Sequence, residues 1–250
     1  MTPAVDIADY CNLLLGVERF SDYCPNGLQV EGGRQIRRLL TGVTACRRLI
    51  DAAVEADADA LLVHHGFFWK GEPAPLTGVK GRRIRTLLRA DMSLLAYHLP
   101  LDAHPEFGNN RQLGLRLGLL EAAPGSGADD LLWTGVLAEP MTGAGFAERV
   151  EQALGREPLH IAVVDRPVHR VAWCTGAAQG AIERAAALGV DCYLSGEVSE
   201  QTVHLARELG VDYLAAGHHA TERYGVQALG AEIAATFGIE HRFVEIDNPV

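Results

Sequence analysis

Ala60-Leu61-Leu62-Val63-His64-His65-Gly66 is the stretch from which the architecture can be read. Four apolar residues in a row suit a short strand buried on both faces, the kind found in parallel sheets covered by helices. Two histidines close the run, and the glycine after them lets the chain turn. Upstream, Leu39-Leu40-Thr41-Gly42-Val43 has the same character. Between the two runs, Ala45, Leu49, Ala53 and Val54 mark a helix with one apolar side. Downstream, Ser93-Leu94-Leu95-Ala96-Tyr97 reads as a third strand. Strands alternating with helices make βαβ units, so the expected class is α/β with largely parallel sheets.

Ala123-Pro124-Gly125-Ser126-Gly127 reads as a linker. Beyond it the spacing predicts strands at 134–137, 160–164, 171–174, 192–194, 213–216 and 242–246. Val226, Leu229, Ile233 and Phe237 mark an amphipathic helix before the last of them. The two halves resemble each other. Thr41-Gly42 leads through a helix to Ala58-Asp59-Ala60-Leu61-Leu62, and Thr175-Gly176 leads in the same order to Val190-Asp191-Cys192-Tyr193-Leu194. The next strand ends Ala96-Tyr97-His98 in one half and Ala216-Gly217-His218 in the other. An acid stands four residues later each time, Asp102 and Glu222. We therefore expect a pseudo-repeat of two similar α/β units, 1–125 and 126–250, with a metal site between them.

Composition narrows the possible functions. The chain has 250 residues, 48% hydrophobic and 22% charged, an ordinary globular balance that argues against disorder. A formal net charge of −10 argues against broad nucleic-acid binding. Basic groups at Arg34, Arg37 and Arg38 and at Lys80, Arg82, Arg83, Arg85 and Arg89 read as a solvated loop and a helix face. The five cysteines form no CxxC pair, so neither a disulfide framework nor a zinc knuckle is expected. With neither a leader nor a membrane-length apolar run, the expectation is a reduced, cytoplasmic protein.

Chemistry is expected at the carboxyl ends of the strands, where open α/β sheets bind ligands. Four groups fall there: His64-His65, His98 with Asp102, Ser195-Gly196-Glu197, and His218-His219 with Glu222. Paired histidines at the tip of an apolar strand have little structural use, whereas imidazole and carboxylate together suit zinc, manganese or iron. Neighbouring side chains on a strand point apart, so His64 and His65 can serve two ions, or one if Gly66 turns the chain. His218 and Glu222 share a face if a helix starts between them and the strand. His98 is a ligand, an outer partner of one, or a group facing substrate. Asp22, Asn26 and Gly27 sit in a turn-rich loop that a turn role alone explains. Gly108-Asn109-Asn110 reads as a helix start. His104 and His204 read as surface groups.

At these residues the sequence resembles the type 2 homologues of GTP cyclohydrolase 1, the NIF-three-like proteins, and among them the bacterial YbgI-type branch. The matching segments run from Asp22-Tyr23-Cys24-Pro25-Asn26-Gly27-Leu28-Gln29-Val30, through Val63-His64-His65-Gly66, Tyr97-His98-Leu99-Pro100-Leu101-Asp102, Gly108-Asn109-Asn110 and Ser195-Gly196-Glu197, to Gly217-His218-His219-Ala220-Thr221-Glu222. The resemblance implies two divalent metal ions per chain held by His64, His65, Asp102, His218 and Glu222, two similar α/β domains, and a homohexameric ring. Longer members carry an inserted domain for which the linker here is too short.

Two readings of function follow. One is a two-metal hydrolase of a nucleotide-like or other small substrate, with Glu222 and His98 moving protons. The other is a non-catalytic, metal-dependent regulatory or metal-handling ring protein. A third, a ring around nucleic acid lined by Arg82, Arg83, Arg85 and Arg89, runs against the acidic charge. No substantial DNA binding is expected at physiological salt.

Overall fold

The computed structural model describes residues 2–127, 130–163 and 165–250. Its strands, in chain order, are β1 (Gly27–Val30), β2 (Arg38–Thr44), β3 (Ala60–His65), β4 (Ser93–Ala96), β5 (Leu120–Pro124), β6 (Trp133–Met141), β7 (Leu159–Ile161), β8 (Val168–Cys174), β9 (Cys192–Ser195), β10 (Asp212–Ala215) and β11 (Glu240–Phe243). Val164, the last residue of the strand expected at 160–164, lies outside the described residues. The final strand sits earlier than 242–246.

The chain forms two compact units, one from residues 1–101 with 225–247, the other from 102–224 with 248–250. These bounds differ from 1–125 and 126–250 for two reasons. The helix Arg223–Phe237 buries Val226, Leu229 and Ile233 in the core of the first unit, and β11 then joins β2 in that unit's sheet. The Gly-rich run read as a linker begins inside β5, which pairs antiparallel with β6.

The sheet of the first unit has the order β1-β4-β3-β2-β11. All its neighbours are parallel except β1 and β4. Its two faces separate with the period of two that strands impose. Leu39, Leu62 and Leu95 pack with Ile7, Cys11 and Leu15 of the helix Ala4–Leu15. Leu40, Leu61 and Leu94 pack with Leu49, Ile50 and Ala53 of the helix Arg47–Glu55 and with Ile84 and Leu87 of the helix Gly78–Arg89. Both faces are covered, which is why these strands are apolar throughout.

The sheet of the second unit has the order β5-β6-β8-β9-β10-β7. Only β8, β9 and β10 are mutually parallel, so this sheet is mixed where a largely parallel one was expected. The short connection from β5 to β6 permits only an antiparallel pair. Trp133, Leu137, Trp173 and Leu194 pack with Phe146, Val150 and Leu154 of the helix Gly143–Leu154. On the opposite face Tyr193 and Tyr213 pack with Ile182, Ala185 and Ala206.

The pseudo-repeat extends to individual hydrogen bonds. Asp59 Oδ2 accepts from the amides of Arg37 and Arg38 at 2.9 and 3.0 Å, and Asp191 Oδ2 accepts from those of His169 and Arg170 at 3.0 and 2.9 Å. Each carboxylate thereby fixes the start of one strand against the start of the next. Asp59 is buried, and a hydrogen bond to a charged group contributes about 1.5–3 kcal/mol. Asp59→Ala is therefore expected to lower the urea midpoint with an unchanged slope; an unchanged midpoint would contradict this role for the carboxylate. Among the described residues no helix is long and apolar enough to cross a membrane.

Candidate metal centre

In the first unit three histidines converge at the carboxyl end of the sheet. His64 is fully buried next to the end of β3, and its Nδ1 lies 2.8 Å from the carbonyl oxygen of Tyr97. A carbonyl only accepts, so Nδ1 carries the proton and Nε2 keeps the lone pair that a cation needs. His65 Nδ1 lies 3.2 Å from Thr44 Oγ1. The two rings did not diverge as neighbours within a strand do, for their centroids are 4.5 Å apart. His65 is paired with Thr44 at the last rung of the β2–β3 ladder, where the constraint of the pleat ends. The His98 ring lies 5.1 Å from that of His64 and 5.7 Å from that of His65. One ring nitrogen from each of the three falls within 4.8 Å of the others.

His98 is held by the loop that turn chemistry alone seemed to explain. Its Nδ1 is 2.7 Å from Asp22 Oδ1, and its amide donates to Asn26 Oδ1 at 2.7 Å. Asp22 also accepts from Asn26 Nδ2 at 2.8 Å and from the Leu99 amide at 3.0 Å. Burial pushes the Asp22 carboxyl up, but the hydrogen bonds from His98 and Asn26 outweigh it and hold the group at about 2. Cys24 completes a group with Asp22 and His98. Burial, with the charge of Asp22, pushes its thiol up to about 12.

In the second unit the acids gather. A short helix, His218–Thr221, starts after Gly217, and Glu222 closes it. The spacing of four brings Glu222 Oε2 to 3.1 Å from His218 Nε2. His218 Nδ1 lies 2.7 Å from Glu197 Oε1. Burial lowers the pKa of His218, yet Glu222 and Glu197 together raise it to about 9. Asp102 and Glu222 are both buried and offer oxygens within 4.8 Å of each other. Asp102 Oδ1 accepts from Asn109 Nδ2 at 2.8 Å and from Thr175 Oγ1 at 3.3 Å. Its carbonyl accepts from Asn110 Nδ2 at 3.2 Å, and Asn110 Oδ1 in turn accepts from the Thr175 amide at 3.1 Å. Gly108 does precede the helix Asn109–Arg116 as expected. The two asparagines, read only as a helix start, are also a buried frame for Asp102, which no local pattern signals.

The donor set fits a divalent cation. Imidazole nitrogens and carboxylate oxygens suit zinc, manganese or iron. His218 Nε2 and Glu222 Oε2, 3.1 Å apart, are close enough that one divalent ion could take both as ligands. Space for the carboxylate is kept by Gly176. Its φ is +68°, and a Cβ there would come 2.2 Å from Glu222 Oε1 and 3.1 Å from His218 Nε2.

His104 and His204 do other work. His104 Nδ1 accepts from the amides of Glu106 and Phe107 and so shapes its own turn. His204 is exposed beside Glu200 at 2.9 Å, a surface group as expected. His219 is buried, and its amide donates to the Val250 carbonyl.

Known proteins match along the whole chain. Residues 3–249 match the family described as Duf34/NIF3 (NGG1p interacting factor 3). A relative from Allochromatium vinosum named GTP cyclohydrolase 1 type 2 homolog is 61% identical over 249 residues, covering 100% of this chain and 98% of its own. One of the same name from Pseudomonas aeruginosa is 59% identical over 237 residues, 94% of each chain. The solved structure of protein ybgI, described as of unknown function, is similar with a TM-score of 0.95 at 45% identity, covering 100% of both chains.

Proposed function

The chain belongs to the Duf34/NIF3 family, and on that premise we propose a centre for two divalent ions that hydrolyses a nucleotide-like or other small substrate. The proposed ligands are His64, His65, Asp102, His218 and Glu222. The observation that carries this reading is the pair of buried carboxylates, Asp102 and Glu222, with His218 in contact with one of them and a glycine holding the space open. Burying acids so close together is costly unless a cation offsets their charge. Bound divalent ions supply Lewis acidity and activate water near neutral pH.

The residues of the chain do the rest. Asp22 and Asn26 fix the ring and the backbone of His98, which leaves its Nε2 to take or give a proton at substrate. Glu222 is the second candidate for moving a proton.

The test is metal analysis of the purified protein, then a screen of GTP and other small hydrolase substrates with and without chelator. Two ions per chain and turnover lost on chelation are expected. Two ions without turnover of any substrate would shift the assignment to a metal-handling protein. No bound metal would overturn the centre itself.

We further propose that the chain assembles as a homohexamer, in line with the family resemblance. Light scattering is expected to give six times the chain mass of 26.9 kDa. A monomer at micromolar concentration would refute it.

A further inference from the structure

The turn Ser195-Gly196-Glu197 ends β9, and the proposed reaction assigns it no part. It is nevertheless built with care. The amides of Gly196 and Glu197 both donate to the Gly176 carbonyl, at 2.9 and 3.2 Å, and the Gly217 amide donates to the Gly196 carbonyl at 2.9 Å. The Tyr213 hydroxyl donates to the Glu197 carbonyl at 2.5 Å. The approach of these segments requires glycine at 196. A Cβ there would lie 2.7 Å from the Gly176 carbonyl oxygen and 2.7 Å from the His218 Cα. The same turn therefore ties the loop of Gly176 to the start of the His218 helix and delivers one carboxylate, Glu197, to His218 Nδ1 at 2.7 Å.

We infer that Glu197 is a positioning residue for the metal centre, fixing the ring of His218 through Nδ1 so that Nε2 faces the ion beside Glu222. This inference rests on the proposed centre. Its chemistry is that of a carboxylate behind a ligating imidazole. The carboxylate accepts from Nδ1–H, which sets the tautomer, holds the ring plane and makes the other nitrogen a stronger donor. In the first unit Asp22 stands behind His98, the residue that matches His218 in the pseudo-repeat, at the same 2.7 Å, although Asp22 and Glu197 come from different places in the repeat. Glu197 is part-exposed and outside the hydrophobic core, so its removal leaves the packing intact.

The experiment titrates Zn²⁺ into the metal-free full-length protein against a competing chelator. It uses wild type, Glu197→Ala, Glu197→Gln and Glu200→Gln, the last being an exposed acid beside His204. Loss of such a partner typically costs about 10–100-fold in metal affinity. Glu197→Ala is expected to weaken one Zn²⁺ by that factor at an unchanged melting temperature. Glu197→Gln, which still offers an acceptor to Nδ1–H, is expected to recover part of the loss, and Glu200→Gln to match wild type. The absorption spectrum of the Co²⁺-loaded protein is expected to change in Glu197→Ala, because it reports ligand geometry. Wild-type affinity and spectrum in Glu197→Ala would overturn the inference while leaving the centre standing. Failure of wild type to bind Zn²⁺ would instead overturn the centre.

Discussion

Glu222→Ala is expected to take the protein from two divalent ions per chain to one or none. Glu222 is buried, with one carboxylate oxygen 3.1 Å from His218 Nε2 and the space beside the other kept open by Gly176. A carboxylate here could be shared by the two proposed ions, and its loss would then disturb both. The combined change of His64→Ala and His65→Ala is expected to remove metal to a similar extent, because both rings belong to one cluster of nitrogens. His204→Ala, on the surface, is expected to keep the wild-type content. The loss should exceed the about 10–100-fold expected for an outer hydrogen-bond partner. Elemental analysis of each dialysed variant decides the matter, with Glu222→Gln as a variant of matched size. If Glu222→Ala and the double histidine change both retain two ions, the ligand assignment is wrong.

Trp173→Ala is expected to be the most damaging change to the fold. Trp173 is fully buried in the core of the second unit, 6.2 Å from the Trp133 ring. Truncating a buried tryptophan costs about 3–5 kcal/mol, a large part of the about 5–15 kcal/mol by which a domain is stable. Its Nε1 also donates to the Asn110 carbonyl at 2.8 Å. Asn110 holds the Asp102 backbone, so damage in this core reaches a proposed ligand. Trp173→Phe keeps part of the ring contact but loses that hydrogen bond and the atoms packed against Gly114 and Gly135, so it is expected to cost less than Trp173→Ala but more than the bond alone. Urea unfolding followed by circular dichroism should show the two variants well apart. A loss below about 1 kcal/mol in Trp173→Ala would mean that this core repacks around the gap.

The residues proposed to carry chemistry could be picked out in the sequence because local rules bring them forward. Apolar runs such as Leu61-Leu62-Val63, short and soon followed by a glycine, suit strands covered on both sides, and the tips of such strands are where polar groups meet a ligand. Helical spacing from His218 to Glu222 likewise needs no tertiary information. The repeat could be seen in Asp59 and Asp191 before either was known to cap a pair of strand amides. Tertiary structure decided what local spacing does not encode. The helix Arg223–Phe237 returns to the first unit because its apolar stripe finds a covering partner there, and the position of the linker says nothing of that. The second sheet is mixed because hydrogen-bonding edges pair with whichever strand the connections bring alongside. Asp22, Asn26, Asn109 and Asn110 read locally as turn and cap residues, and by local conformation several of them are. Their second role comes from partners up to 77 residues away, as in the bond from the Leu99 amide to Asp22. A side chain with spare hydrogen-bonding capacity does not announce its partner, and only the folded chain brings the two within 3 Å or so of each other.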